Sequence, residues 1–126
     1  MSGRTQSFSQ ILLESIDEGL SVLGNEPKES LYQFLNTMCS LPRENIPTRV
    51  SDFAAGLKRA MGGASKVIEK IILKKLFEKT GSLFREVPDT DFNDYVIEAK
   101  RRFESFSFRH EETLESPRSK KGQVSS

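Results

Sequence analysis

In the stretch Ser65–Lys79, SKVIEKIILKKLFEK, apolar and polar positions do not separate into one narrow stripe. At helical spacing Val67, Ile68, Ile71, Ile72, Leu73, Leu76 and Phe77 cover most of the cylinder. Lys66, Lys70, Lys74 and Glu78 form the main polar row, four residues apart. A helix that is apolar nearly all round is buried on several sides. The pattern predicts a central helix here, with one basic edge left to water.

The remaining apolar positions predict four helices around it. The first runs from about Ser7 or Ser9 to Leu23, with Phe8, Ile11, Leu12, Ile16, Leu20 and Leu23 inward and either serine as cap. Gly19 falls on the same face. A mid-helix glycine costs about 1 kcal/mol relative to alanine, so a close approach of another helix is expected there. Gly24 ends the helix and Asn25-Glu26-Pro27 restarts the chain, Asn25 as cap. The second helix, about Glu26 to Ser40, carries Leu31, Phe34, Leu35, Met38 and Cys39 on one face, and the pair reads as a hairpin. Pro42 and Pro47 forbid a continuous helix through the next connection, and Ile46 is expected to plug into the bundle and pin it. The third helix, from about Thr48 or Ser51 to Met61, points Val50, Phe53, Leu57 and Met61 inward. Gly62-Gly63 stops it, and Ser65 is the expected cap of the central helix, which Gly81 ends.

Leu83, Phe84 and Val87 in the following link are available to pack. A fifth helix is expected from about Thr90 to Phe106, capped by Asp89, Thr90 or Asp91. Phe92, Tyr95, Val96, Ala99, Phe103 and Phe106 form its amphipathic stripe. Residues 107–126 carry few apolar positions and a proline, and disorder is expected there. The fold class is thus all-α: a four-helix core over residues 7–81, a C-terminal amphipathic helix within 82–106 packing on the core or on a partner, and a tail.

Composition narrows the class. The 126 residues suit one domain, and 36% hydrophobic with 29% charged residues is ordinary for a soluble protein. No apolar run approaches the roughly 20 residues that span a bilayer, and the opening MSGRTQSFSQ lacks the layout of a secretory signal. A cytoplasmic location, without a membrane, is expected. Net charge is +1 but uneven: residues 42–79 hold nine basic and four acidic residues, between acidic neighbours. Helices of complementary charge packing together account for that; an anionic partner is the alternative.

Candidate chemistry is sparse. His110 is the single histidine and Cys39 the single cysteine, so no intrachain disulfide forms and no zinc set exists. Cys39 sits on an apolar face and reads as a structural thiol. Gly62-Gly63 lacks the Lys-Ser or Lys-Thr of a phosphate loop. Asp89, Asp91 and Asp94 stand at a helix start, where capping explains them better than a metal does. No enzyme activity, cofactor or metal is expected. Two surfaces remain. Lys58, Arg59, Lys66, Lys70 and Lys74, with Lys75, form a basic edge that could meet an anion or nucleic acid. A helix-turn-helix reader is disfavoured, because Lys58 and Arg59 stand where the turn wants a small residue and the would-be recognition helix is too apolar for a groove. The second surface is the fifth helix: Phe92, Tyr95, Val96, Phe103 and Phe106, continued by Phe108, are candidates for a protein interface or self-association.

Residues 7–81 resemble a small all-helical domain of archaea, particularly ammonia oxidisers, proposed as an output module of signalling proteins. The likeness lies in Ile11-Leu12-Leu13-Glu14-Ser15-Ile16-Asp17-Glu18-Gly19-Leu20, Leu23-Gly24, Leu31-Tyr32, Ile46-Pro47 and Phe53 to Leu57. It continues in Lys66-Val67-Ile68-Glu69-Lys70-Ile71-Ile72 and Leu76-Phe77-Glu78-Lys79. It covers about three fifths of the chain, is a pattern of helix packing, and implies four helices and a regulatory or interaction role, with no ligand residue carried over. A non-enzymatic interaction or signal-output module is the leading expectation, and a nucleic-acid-binding accessory protein the alternative.

Overall fold

Ser7 opens the first helix with a reciprocal cap: its Oγ accepts from the Gln10 N–H and Gln10 Oε1 accepts from the Ser7 N–H, both at 3.2 Å. The structure, a computed structural model, describes residues 7–115 and their side chains as far as Ser105. It contains α1 (Phe8–Ser21), α2 (Asn25–Met38), α3 (Val50–Met61), α4 (Ser65–Lys79) and α5 (Phe92–Glu115). Short 3-10 turns occupy Arg43–Thr48 and Gly62–Ala64, and the described residues contain no strand. None of their helices is long and apolar enough to cross a membrane. The all-α bundle expected from the periodicity is what forms.

Two expected caps differ. Asn25 is already the first residue of α2, and Gly24, at φ 103°, makes the corner without a side-chain cap. Ser65 is buried inside α4 and makes no cap bond. The 3-10 turn leads straight into α4, and carbonyls of Gly62 and Gly63 accept from the Ser65 N–H, so a serine oxygen is not needed there. At the other end of α4 the Ser82 N–H reaches the Phe77 carbonyl at 2.8 Å and the Gly81 N–H reaches Glu78 at 3.1 Å. Gly81 takes φ 83°, the left-handed conformation that this ending requires. Asp91 caps α5, its Oδ1 accepting from the Asp94 N–H at 2.9 Å.

Helix α4 packs against α1, α3 and α5. Ser65, Ile68, Ile72, Leu73, Leu76 and Phe77 are buried. Its burial is three-sided and not complete: Ile71 is half-buried and Val67 is 61% exposed. The tightest approach is to α1, where a Cβ on Gly19 would stand 2.4 Å from Ile72 Cγ1. Gly56 does the same for α3 on α2, its absent Cβ lying 2.5 Å from Leu35 Cδ2. The inner face of α2 is narrower than its spacing suggests: Leu31 and Leu35 are buried, while Met38 is 59% exposed. Ile46 is fully buried and plugs its 3-10 turn into the bundle as expected. Of the three apolar residues in the link after α4, only Phe84 packs, between Phe77 at 5.6 Å and Tyr95 at 5.1 Å; Leu83 and Val87 stay exposed.

The last helix departs most from expectation. Phe92, Val96 and Ala99 belong to the same core as the first four helices. Helix α5 continues nine residues past Phe106, so residues 107–115, expected as disordered, are helical. No glycine or proline interrupts the sequence between Phe92 and Glu115, so nothing local stops the helix where its apolar stripe fades. The rest of the expected tail, 116–126, lies outside the described residues.

Two substitutions test this packing. Ile72→Ala should cost about 2–5 kcal/mol in urea unfolding, and Ile71→Ala clearly less, because only Ile72 is fully enclosed. Gly19→Ala should destabilise by about 1–3 kcal/mol through the clash with Ile72. An exposed helix position would gain about 1 kcal/mol from the same change.

Candidate functional site

The link between α4 and α5 is held against α5 by one side chain. The Tyr95 hydroxyl accepts from the Val87 N–H at 2.7 Å and donates to the Val87 carbonyl at 3.1 Å. The linker thereby stands off the side of α4 and leaves an open groove of about 620 Å³. Leu73, Phe84, Phe92 and Tyr95 give the groove apolar lining. Lys66, Val67, Glu69 and Lys70 come from α4, and Glu86, Val87, Pro88 and Thr90 from the linker. A smaller depression of about 210 Å³ shares Lys66, Glu69 and Phe92 and adds Lys58, Asp91 and Asn93.

The charges here are mixed. Lys70 Nζ lies 3.1 Å from Glu86 Oε2, across the groove. Lys66 Nζ is 4.0 Å from Glu69 Oε1, an ion pair too long for a hydrogen bond. The Glu69 side chain is 12% exposed. Among the described residues it accepts no hydrogen bond. Burial pushes its pKa up; Lys66 opposes this, the Asp91 charge reinforces it, and Lys58 opposes it again.

The structure redistributes the residues singled out in the sequence. Lys66 and Lys70 of the basic edge meet Phe92 and Tyr95 of the α5 stripe in the same groove. Lys58 lines the neighbouring depression, Lys74 is exposed elsewhere on α4, and Arg59 lies over the Phe34 ring at 5.9 Å. As free interface residues Phe92 and Val96 are corrected: they are buried in this chain's own core, Phe92 against Phe53 at 5.8 Å. Phe103 is half-buried against Phe8, with 5.9 Å between rings. Phe106 lies in α5, but its side chain, like those of Phe108 and His110, is outside the described residues. Cys39 is half-buried, beside Gly56. Among the described residues no three His, Cys, Asp or Glu side chains are grouped to hold a metal ion.

The reach of α5 is the second feature. Phe92 stands beside Lys66 and Glu69 near the start of α4, and Glu98, Arg101 and Arg102 line a cleft with Thr80, Gly81 and Ser82 after its end. The two helices therefore run in the same direction. At Phe103, α5 has reached Phe8, the first residue of α1. Twelve residues of α5 follow, about 18 Å of helix.

A third cluster escaped the sequence pattern. Asp17 of α1 accepts from Arg43 Nη2 at 2.5 Å and Nε at 3.2 Å, and from the Tyr32 hydroxyl of α2. The partners are 15 and 26 positions from Asp17, and no local spacing announces them. The cluster ties the 3-10 turn Arg43–Thr48 to the α1–α2 hairpin. Burial alone would raise the Asp17 pKa; the bonds from Arg43 and Tyr32 and the Arg43 charge outweigh it, and the carboxyl titrates below its ordinary 3.8. Burial and the Asp17 carboxylate push the Tyr32 hydroxyl in the opposite direction, upward.

The two carboxylates should respond to acid in opposite ways. Asp17 stabilises the fold fully above its unfolded-chain value near 3.8, and this is lost as pH falls through the lower folded value. Urea titrations from neutral pH downward should show Asp17→Asn less stable by about 1 kcal/mol near neutrality, with the gap closing in acid. Glu69 is protonated more readily when folded, so Glu69→Gln should be neutral or stabilising at pH 7, and any gain should vanish as pH falls through the raised value. No family model, curated protein or solved structure matches the chain.

Proposed function

We propose that this chain is a non-enzymatic protein-interaction module, of the signal-output or regulatory kind, whose contact surface is the part of α5 beyond Phe103. The carrying observation is the helix itself, which continues about 18 Å past Phe103, the last described side chain of α5 in the hydrophobic core. A helical segment of about 12 residues draws little stability from propensity alone. Its sequence, which includes Phe106, Phe108 and Leu114, suits burial against another surface. A second copy of the chain or a separate protein would supply that surface. The absence of a catalytic motif in the sequence and the resemblance to an output domain support the same reading.

A nucleic-acid-binding role has one observation in its favour: Lys58, Arg59, Lys66, Lys70 and Lys74 are all exposed along α3 and α4. The Lys70–Glu86 pair reduces the charge available there. Phosphate contacts would make binding fall steeply with salt. Duplex or single-stranded binding at low salt that Lys66→Glu and Lys74→Glu abolish would favour this role over the first.

Light scattering on the full chain and on a chain ending at Ser105 tests the leading reading. The cut keeps Phe92, Val96, Ala99 and Phe103, so the core survives it. A full chain that is dimeric, or that binds a partner, and a shorter chain that has lost this while keeping its unfolding midpoint would support the reading. Equal mass and equal partner binding in both would overturn it.

A further inference from the structure

A carboxylate enclosed in protein normally accepts hydrogen bonds, because removing it from water without replacement is unfavourable. Glu69 departs from that rule. Its side chain is 12% exposed, it lines both the groove and the adjoining depression, and among the described residues its nearest cation, Lys66 Nζ, stays at 4.0 Å. Lys66 is itself 75% exposed at its side chain and only loosely engaged. Lys70 is occupied by Glu86. The remaining charges that act on Glu69 are Lys58 of α3 and Asp91, the cap of α5, which are opposite in sign.

Beside this carboxylate, Leu73 of α4, Phe84 of the linker and Tyr95 of α5 present apolar and aromatic surface. Val67 and Val87, 61% and 53% exposed, form apolar shoulders. A planar guanidinium matches both halves: it donates two parallel bonds to a carboxylate, and it stacks on aromatic faces with less desolvation cost than an ammonium. A neutral donor would satisfy the oxygens but leave the enclosed charge uncompensated. We propose that this groove is a docking site for an arginine-bearing peptide segment of a partner protein, the arginine anchored by Glu69 and its apolar neighbours resting on Val67 and Val87. This site is independent of the part of α5 beyond Phe103.

The test is an amide-resolved NMR titration of the full chain with the blocked tripeptide acetyl-Leu-Arg-Leu-amide. The same peptide with citrulline replaces the guanidinium by a neutral group of nearly the same shape. Saturable shifts at Glu69, Lys70, Leu73 and Tyr95 are expected with the arginine peptide. Binding should weaken about tenfold or more on changing to citrulline and by a similar factor in Glu69→Gln. In Glu69→Gln the two peptides should bind alike, which separates loss of the anchor from general damage to the groove. The proposal is overturned by no saturable shift up to about 10 mM peptide, by equal affinity for arginine and citrulline in the unmodified chain, or by shifts located elsewhere. Binding of butylguanidinium as tight as the tripeptide would overturn the peptide assignment and leave a small-cation site.

Discussion

The approach of α1 to α4 at Gly19 and Ile72 sets the geometry of the molecule. With a hydrogen in place of a side chain, Gly19 lets Ile72 sit where a Cβ would lie 2.4 Å from its Cγ1. Close packing there gives dispersion contacts that a wider spacing would forfeit. It also fixes the face that α4 turns to its other neighbours. Ile72 inward on α1 leaves Leu73 and Phe77 toward the linker and α5, and leaves Lys66, Val67 and Lys70 outward. Lys79, in the last turn of α4, then lies 3.0 Å from Glu18 of α1, adding charge complementarity at the rim of the same contact. The glycine at 56 repeats the device between α2 and α3.

Helix α5 combines two roles. Its first half closes the core, and Phe53–Phe92, Phe84–Tyr95 and Phe8–Phe103 connect it to α3, the linker and α1 in turn. Its second half continues as helix past Phe103, the last described side chain of α5 in that core. A helix rooted in a core pre-orders the turns that continue from it, which lowers the entropy lost when those turns meet a surface. This is the physical attraction of reading α5 as an interaction element.

The groove beside α4 is a consequence of how the linker is held. Phe84 packs inward and Tyr95 grips the backbone of Val87, so the linker spans the gap without filling it. Glu69 faces that gap with its oxygens unbonded by the described residues. Between α1, α2 and the 3-10 turn, Asp17 is bonded by Arg43 and Tyr32. The contrast is informative. One partly enclosed carboxylate is satisfied and ties the 3-10 turn Arg43–Thr48 to the α1–α2 hairpin; the other is not, and opens onto a cleft.

Much of the fold could be read from local chemistry. Apolar residues at helical spacing, the Ser7–Gln10 cap, the Gly62 and Gly81 stops and the Asp91 cap each follow from interactions within a turn or two, so the sequence by itself determined five helices and most of their ends. It also pointed to a close approach at Gly19, because a glycine on an apolar helix face needs a packing reason. The apolar residues left over could not be assigned by pattern. Val67, Leu83 and Val87 look as apolar as Phe84 and Ile72, and only the arrangement of neighbouring helices decides which are covered. Phe92 and Val96 went to the core for the same reason. Helix α5 outran its stripe, and its sequence holds no glycine or proline that would have marked a stop at Phe106. The meeting of Lys66 and Lys70 with Tyr95, the Asp17–Tyr32–Arg43 cluster and the unbonded Glu69 were decided by tertiary structure alone. Each joins residues from separate elements, and spacing along a chain carries no information about which distant side chains its folding will bring together.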